Sequence, residues 1–347
     1  MNNKLAAIIL AALTAISATG CNHGANGSGA SQTEWVYSFE DWDLTPEQRD
    51  GYTDYPVIIG EGTGYPLKGI LSMPDHPEEK APSVVLVHGS GPLNMDSEAF
   101  GVAVFRDIAQ FLAKNGIAVL RYDKRTFAHG AVLMEQYGDD LTVWEESIED
   151  AIRAKALLER EEHLDSSRIF VLGHSLGGML APRIVSEGDF AGGIVMAGSP
   201  RSLLEIIYDQ NIYFIDLRQT TVLERLSLLA QVERARATNF TLPEKYITEM
   251  DEHPAEGYLA ETEKPFLIMQ GGKDFQVYAD VDFEMFKEIA RGRGNIELRF
   301  YDDLTHLFTL STMEKPTLDD YIAGSVVDEA PLADIAEWVH AQMETPQ

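Results

Sequence analysis

A serine between two glycines lies where a strand is predicted to meet a helix. The motif GHSLG, residues 173–177, follows the apolar, β-branched run 168–172, and a helix is predicted from near Leu176. A sharp turn here lifts the Ser175 hydroxyl clear of the sheet, and the flanking glycines avoid a Cβ clash. The start of the helix adds free N–H groups and a partial positive charge where an oxyanion would form. The pattern predicts a nucleophilic serine; the alternative is a glycine-rich turn without catalysis.

A histidine is needed near this serine, because a serine hydroxyl is a poor nucleophile until a base removes its proton. His306 follows the predicted strand 296–301 by a few residues, at the carboxyl edge where the crevice of an open α/β sheet lies. His174 lies inside the turn, His253 in a helical insert and His340 on the last helix. His306 is therefore the predicted base, and a surface loop histidine is the alternative reading.

A carboxylate must in turn orient that histidine. The loop GGKDF, residues 271–275, follows the predicted strand 266–270 and places Asp274 at the same edge of the sheet. The chain order is then serine, aspartate, histidine. Asp302 and Asp303 are rivals, but they are so close to His306 in sequence that we interpret them as caps of its turn.

A second group of glycines offers amides for an oxyanion. HGSGP, residues 88–92, follows the predicted strand 83–88 at the same edge. Glycines at 89 and 91 let the backbone turn its N–H groups toward a pocket, so the predicted oxyanion hole is formed by Ser90 and Leu176, with Gly91 as the alternative to Ser90. His88 is interpreted as structural. The segment RYDKR, residues 121–125, either binds an acidic substrate or pairs a strand-end Asp with cations to brace loops.

These residues require a framework of strands alternating with helices. Further strands are predicted at 117–121 and 193–197, and an antiparallel hairpin is predicted at 56–60 and 67–73. The alternation predicts an α/β fold with a mostly parallel central sheet and helices on both faces. Residues 199–263 break the rhythm and are predicted to form a helical cap insert, whose aromatic side chains either line an acyl or aryl pocket or simply pack.

The motifs HGSGP, RYDKRTFAHG, GHSLGG, QGGKD and LTHLF occur in this order and together resemble the α/β-hydrolase superfamily. The resemblance covers the chain from about Tyr52 to Met343 and is to bacterial secreted esterases near the dienelactone-hydrolase and prolyl-oligopeptidase branches. It implies an α/β-hydrolase fold and a serine hydrolase of carboxylic esters. The dienelactone branch proper uses a cysteine nucleophile, whereas position 175 here is serine.

Composition excludes several other classes of protein. The 347 residues include 27 Lys+Arg and 56 Asp+Glu, so the formal net charge is 27 − 56 = −29. Such a chain repels phosphate, and no binding to nucleic acid is expected. A single cysteine excludes a disulfide scaffold, and no metal or other cofactor is expected.

The N-terminus is predicted to be a targeting segment. Residues 1–21 combine Lys4, a short apolar run and small residues before Cys21, which resembles a bacterial lipoprotein signal. The Gly- and Ser-rich residues 22–34 are predicted to be a flexible tether, followed by a hydrolase domain over 35–347. Because the net charge disfavours anionic headgroups, a membrane anchor would have to be a covalent lipid at Cys21. Otherwise the protein is expected to be periplasmic or secreted.

The predicted function is that of a serine esterase that forms an acyl-enzyme on a small-molecule ester. Two alternatives stay open. One is a serine peptidase or amidase of the oligopeptidase-like branch, and the other is a non-catalytic lipoprotein that binds an acyl ligand.

Overall fold

A central sheet organises the computed structural model, which describes residues 37–75, 80–321 and 325–344. Cys21 and the predicted signal and tether, residues 1–34, lie outside the described residues, so these assignments stay predictions. The strands are β1 (Glu47–Gln48), β2 (Tyr52–Ile59), β3 (Leu67–Pro74), β4 (Ala81–Val87), β5 (Glu98–Ala99), β6 (Val102–Ala103), β7 (Ala118–Tyr122), β8 (Leu164–His174), β9 (Gly193–Met196), β10 (Phe266–Gly271) and β11 (Ile296–Tyr301).

Helices fill most of the connections between these strands. They are α1 (Val104–Lys114), α2 (Arg125–Gln136), α3 (Glu149–Leu158), α4 (Leu176–Glu187), α5 (Leu203–Asp216), α6 (Val222–Arg236), α7 (Glu244–Glu252), α8 (Ala255–Glu261), α9 (Glu284–Ile289) and α10 (Glu329–Glu344). Short π-helical turns, Trp144–Ile148 and Ala279–Phe283, lead into α3 and α9. Short 3-10 turns occur at Gly138–Asp140, Asn239–Thr241 and Leu318–Asp320.

The sheet order within the described residues is β1-β2-β3-β7-β4-β8-β9-β10-β11. The strands from β7 to β11 pair in parallel, whereas β1, β2 and β3 pair antiparallel and β3 joins β7 antiparallel. A separate small hairpin joins β5 to β6. The predicted α/β-hydrolase fold, with its mostly parallel sheet and N-terminal antiparallel strands, is confirmed.

Alternate side chains of β4 show why both faces of the sheet are covered. Val84 and Leu86 pack with buried residues of α1 and α10, whereas Val85 and Val87 pack with buried residues of α3 and α4. Strands buried on both faces read as continuous apolar runs, as the sequence of β4 does. The rigid sheet therefore holds the carboxyl ends of β4, β8, β10 and β11 at one edge.

Between β9 and β10 the chain forms α5 to α8, and we call residues 203–261 the helical insert. Arg201, just before the insert, joins it to the turn Ala279–Phe283, because its guanidinium pairs with Asp282 at 2.8 Å and with Asp209 of α5 at 2.7 Å. The assignment of this insert as a cap over the site stays a prediction.

Two helices, α2 and α3, lie between β7 and β8, and no helix is predicted from the sequence at the position of α2. In α2 only Arg125, Ala128 and Leu133 are buried, and the backbone kinks at His129. Its sequence therefore lacks the apolar stripe that marks an amphipathic helix.

Candidate active site

Ser175 occupies a strained turn between β8 and α4. Its φ of 56° and ψ of −118° lie outside the regions that a serine normally adopts. The turn is held by a hydrogen bond from the Ser175 N–H to the Met196 carbonyl, at 2.9 Å. Ser175 is half-buried, whereas residues 169–174 and 176–185 on either side are buried. The turn therefore brings one side chain out of the buried strand and helix, as the motif predicted.

Glycines make room for this turn. A Cβ on Gly173 would collide with the backbone of Gly177, and a Cβ on Gly177 would lie 2.7 Å from the carbonyl oxygen of His88. A Cβ on Gly89 would lie 3.0 Å from the Ser175 Cβ and 3.6 Å from its Oγ. The loop after β4 therefore passes directly against the serine, and this contact requires glycine at position 89.

His306 and Asp274 meet at the carboxyl ends of β11 and β10. The His306 Nδ1–H donates to Asp274 Oδ2 at 2.7 Å, and both side chains are buried. Asp274 Oδ1 accepts the N–H groups of Gln276 and Val277 at 2.8 and 2.9 Å. Because Nδ1 carries the proton, the lone pair of His306 lies on Nε2, on the other side of the ring.

The rival carboxylates behave differently. Asp302 and Asp303 follow β11 directly, and both are exposed. Among the described residues, Asp274 is the carboxylate that contacts the His306 ring. The structure thus brings together the predicted aspartate and histidine and leaves the two rivals in solvent.

Backbone contacts fasten the loops of Asp274 and His306 to each other. The Gly272 N–H donates to the Tyr301 carbonyl at 2.7 Å, and the Lys273 N–H donates to the Leu304 carbonyl at 2.9 Å. A Cβ on Gly272 would lie 2.5 Å from the Asp302 carbonyl oxygen, so glycine is needed for this close approach. These contacts fix the two loops to each other at the carboxyl edge of the sheet.

His174 connects the loop of His306 to the serine turn. Its Nε2–H donates to the His306 carbonyl at 2.9 Å, and the two rings are 4.9 Å apart between centroids. Burial, followed by the nearby His306, lowers the pKa of His174 to about 3. A neutral His174 therefore holds the backbone of His306 beside Ser175, the next residue in the chain.

The loop of residues 88–95, which we call the glycine loop, is fastened at several points. The His88 Nε2–H donates to the Asn94 carbonyl at 2.9 Å, and burial, with Lys124 adding to the effect, lowers the pKa of His88 to about 3. The Lys124 N–H donates to the Leu93 carbonyl at 3.0 Å. His88 therefore has a structural contact, in line with its interpretation from sequence.

The predicted oxyanion hole consists of the backbone N–H groups of Ser90 and Leu176. Within the described residues, neither the N–H of Ser90 nor that of Leu176 has an acceptor. Leu176 is the first residue of α4, where N–H groups have no partner inside the helix. These amides are thus available to an oxygen atom placed near Ser175.

The cations of residues 121–125 are paired with carboxylates rather than presented to a substrate. Arg121 lies 3.0 Å from Asp96, and Lys124 lies 2.9 Å from Glu146. Arg125 pairs with Asp150 in the same buried layer. All three cations are buried. The segment therefore braces loops, although the pairs are not made with Asp123 as the sequence interpretation had it.

Asp123 instead receives two uncharged donors. Its Oδ2 accepts the Tyr37 hydroxyl at 2.9 Å, and its Oδ1 accepts the Met95 N–H at 2.8 Å. Burial raises the pKa of the Asp123 carboxyl. This contact fastens the far end of the glycine loop to β7.

Aromatic side chains of the helical insert pack beside the aspartate. Tyr213 and Phe214 of α5 lie 5.4 and 5.8 Å from the ring of Phe275, the residue after Asp274. Tyr321 stacks on the same ring at 5.6 Å. Tyr246 instead donates its hydroxyl to Glu146.

Sequence reasoning missed two supporting groups. The Gln270 amide donates to Asp274 Oδ2 at 3.0 Å, and Lys124 Nζ donates to the Gly89 carbonyl at 2.8 Å. A polar Gln270 at the end of the apolar run FLIM was a usable signal for the first. The second depends on tertiary packing that no local pattern reveals.

The described residues hold no group of three or more His, Cys, Asp or Glu side chains that could bind a metal ion. Within those same ranges, no helix has the length and apolar character needed to cross a membrane.

A known protein family and a curated relative match this sequence over most of its length. The sequence model of the alpha/beta hydrolase family matches residues 84–319. Esterase EstD of Thermotoga maritima is 36% identical over 308 residues, which cover 87% of this chain and 68% of that protein.

Two solved structures share the fold at lower identity. An esterase of Pyrococcus furiosus superposes with a TM-score of 0.53 at 16% identity, over 92% of this chain and 100% of that one. An acylaminoacyl peptidase of Pyrococcus horikoshii gives 0.54 at 18% identity, over 86% of this chain and 43% of that one.

Proposed function

The chain belongs to the α/β-hydrolase family, and on that premise we propose that it is a serine esterase that cleaves small-molecule carboxylic esters through an acyl-enzyme. The observation that carries the proposal is the hydrogen bond of 2.7 Å between His306 Nδ1 and Asp274, made beside the strained turn of Ser175. The name of the Thermotoga relative supports ester hydrolysis as the reaction class.

In the proposed first step, the Ser175 Oγ attacks the ester carbonyl carbon while His306 Nε2 takes the hydroxyl proton. Asp274 holds the tautomer with the proton on Nδ1 and stabilises the imidazolium that forms. The carbonyl oxygen becomes an oxyanion and accepts hydrogen bonds from the Ser90 and Leu176 N–H groups. The intermediate then breaks its bond to the alcohol oxygen, which leaves with the proton from His306.

The second step repeats this chemistry with water. His306 takes a proton from a water molecule whose oxygen attacks the acyl carbon on Ser175. The oxyanion forms again at the same two amides, and its collapse breaks the bond to the Ser175 Oγ, which regains a proton from His306. The carboxylic acid leaves and the resting state returns.

Turnover of a short p-nitrophenyl ester tests this proposal. Ser175→Ala should lower kcat by about 10³-fold or more, because it removes the group that forms the acyl-enzyme. Ser166→Ala is the matched control, since Ser166 is an exposed serine on the same strand, and it should keep wild-type turnover.

The outcomes also separate the two alternatives. An aminoacyl anilide hydrolysed faster than the matching ester would favour the peptidase or amidase. Binding of an acyl ligand without turnover or labelling by a fluorophosphonate would favour a non-catalytic binding protein.

We further propose that the protein is exported and anchored by a lipid on Cys21. The proposal rests on the residues around Cys21 and on the charge of −29, which disfavours adsorption to anionic lipid. Incorporation of a labelled fatty acid, and its loss in Cys21→Ser, is the expected result. Equal labelling of the two chains would overturn it.

A further inference from the structure

A buried charged network lies directly behind the glycine loop. Lys124 Nζ donates to the Gly89 carbonyl at 2.8 Å and pairs with Glu146 at 2.9 Å. The other oxygen of Glu146 accepts the Tyr246 hydroxyl from α7 of the helical insert. Lys124, Glu146 and Tyr246 are each no more than 2% exposed.

Burying the Lys124–Glu146 pair costs free energy, and apolar side chains could fill the same space without that cost. A buried ammonium and carboxylate lose their hydration, and replacing such a pair by apolar residues is often neutral or stabilising. The neighbouring pair of Arg125 and Asp150 already joins α2 to α3. The contact that distinguishes Lys124 is therefore its bond to Gly89, the residue that lies against Ser175.

The hydrogen bond from Lys124 to the Gly89 carbonyl also sets the direction of the Ser90 N–H, because both groups belong to one planar peptide. The structure has no cis peptide among its described residues, so the Gly89 carbonyl and the Ser90 N–H point in opposite directions from one rigid plane. Because Lys124 holds the carbonyl on the buried side, the N–H is turned the other way, out of the protein interior. The positive charge also polarises the peptide and strengthens the N–H as a donor.

We propose that Lys124 is a positioning residue for ester hydrolysis, which holds and polarises the Gly89–Ser90 peptide so that the Ser90 N–H serves the oxyanion. This inference rests on the proposed function. It also selects Ser90 rather than Gly91 as the donor from the glycine loop, because the peptide plane that Lys124 grips carries the Ser90 N–H.

The test compares two variants that differ only at Lys124. Glu146→Gln removes the acid and keeps an acceptor for Tyr246, so the double variant Lys124→Met with Glu146→Gln leaves no unpaired buried charge. Relative to Glu146→Gln alone, the double variant should lower kcat about 10- to 100-fold with KM within about threefold, since loss of a full oxyanion donor costs about 10²- to 10³-fold. The inhibition constant of an alkyl boronic acid, whose serine adduct is tetrahedral, should rise by the same factor as kcat falls.

A matched control separates positioning from general destabilisation. Arg125→Met with Asp150→Asn removes an equally buried ion pair, one residue along the chain, that does not touch the glycine loop. It should lower the melting temperature and keep kcat. An equal fall in kcat for both double variants, or unchanged boronate binding in the Lys124 variant, would overturn the proposal.

A milder variant covers a failure to fold. Lys124→Gln with Glu146→Gln keeps polar groups in the buried site but is too short to reach Gly89, and it should still lower kcat at least about tenfold. Wild-type kcat in this folded variant would overturn the proposal. Ser175→Ala is measured first: if it retains turnover the proposed function fails, whereas a loss there with normal Lys124 variants refutes only the inference drawn here.

Discussion

Among single residues, His174 connects the serine turn to the loop of His306, and its burial makes the protein sensitive to acid. The pKa of His174 is lowered to about 3 in the folded chain, chiefly by burial, whereas an unfolded histidine titrates near pH 6.5. Below about pH 6.5 the unfolded state therefore binds a proton that the folded state does not. The free energy of unfolding should fall as the pH drops from about 6.5 toward 3.

Replacing the side chain should remove the part of this dependence that is due to His174, whereas His88, whose pKa burial also lowers to about 3, keeps its own part. His174→Gln keeps an N–H donor for the His306 carbonyl but does not titrate, so its unfolding free energy should fall less steeply between pH 6 and 4, by up to about 1.4 kcal/mol per pH unit. Urea unfolding at several pH values measures both slopes. His163→Gln, at an exposed histidine, should keep the wild-type slope. A slope in His174→Gln as steep as that of the wild type would contradict the role of His174.

Single residues also show what sequence could reveal about the site. The positions of Ser175, Asp274 and His306 at one edge of the sheet were predictable, because each follows a strand whose apolar run is easy to recognise and strand ends converge at one edge of a parallel sheet. Glu146 and Tyr246 were not, because their partners are 22 and 100 residues away, as the contacts Lys124–Glu146 and Glu146–Tyr246 show. Local periodicity carries no information on such pairings.

At the scale of elements, the contact between β8, α4 and β4 sets the serine turn. Gly177 lies in the first turn of α4, and its Cα faces the carbonyl oxygens at the end of β4. A Cβ there would meet backbone atoms of Val87 and His88 rather than a flexible side chain. The helix would have to move away from the strand, and the Leu176 N–H would move with it.

Gly177→Ala should therefore destabilise the fold by about 3 kcal/mol or more, in the upper range for overpacking, and should abolish ester hydrolysis. Chemical denaturation and turnover measure the two effects. Gly257→Ala in α8 is the control, since a Cβ there meets only Pro254, at an ordinary 3.9 Å, and it should stay within about 1 kcal/mol of wild type. Wild-type stability in Gly177→Ala would refute the packing argument.

The sequence predicts the buried strands better than it predicts helix α2. The strands β4, β7, β8 and β10 were predictable because double burial produces continuous apolar runs, whereas the edge strand β11 is buried only at Ile296. Helix α2 was not, because its buried positions include Arg125, whose charge is satisfied by Asp150 on α3. A charged residue in a core position hides the pattern that hydrophobic periodicity relies on.

At the scale of the whole molecule, the charge of −29 bears on the choice of substrate. A strong negative field repels anionic molecules, and salt screens that field: the Debye length falls from about 30 Å at 0.01 M to about 10 Å at 0.1 M. The buried cations near the site do not offset this field, because Lys124 and Arg125 are paired with carboxylates. Neutral esters should be the better substrates.

The comparison of two esters tests this expectation. Between 10 mM and 0.5 M NaCl, kcat/KM for the anionic p-nitrophenyl succinate should rise about three- to tenfold relative to that for neutral p-nitrophenyl acetate. A ratio that is independent of salt would contradict this expectation, and a ratio that falls with salt would show that a local positive charge governs access.

Trapping the covalent bond between Ser175 and the acyl group tests the proposed acyl-enzyme. Wild-type protein is mixed with p-nitrophenyl acetate, quenched with acid during turnover, digested and analysed by peptide mass spectrometry. One acetyl group is expected on Ser175, formed and lost at rates that match turnover, and none is expected at that position in Ser175→Ala. Full turnover by Ser175→Ala, or rapid turnover with an acetyl group on a different residue, would contradict the proposed acyl-enzyme.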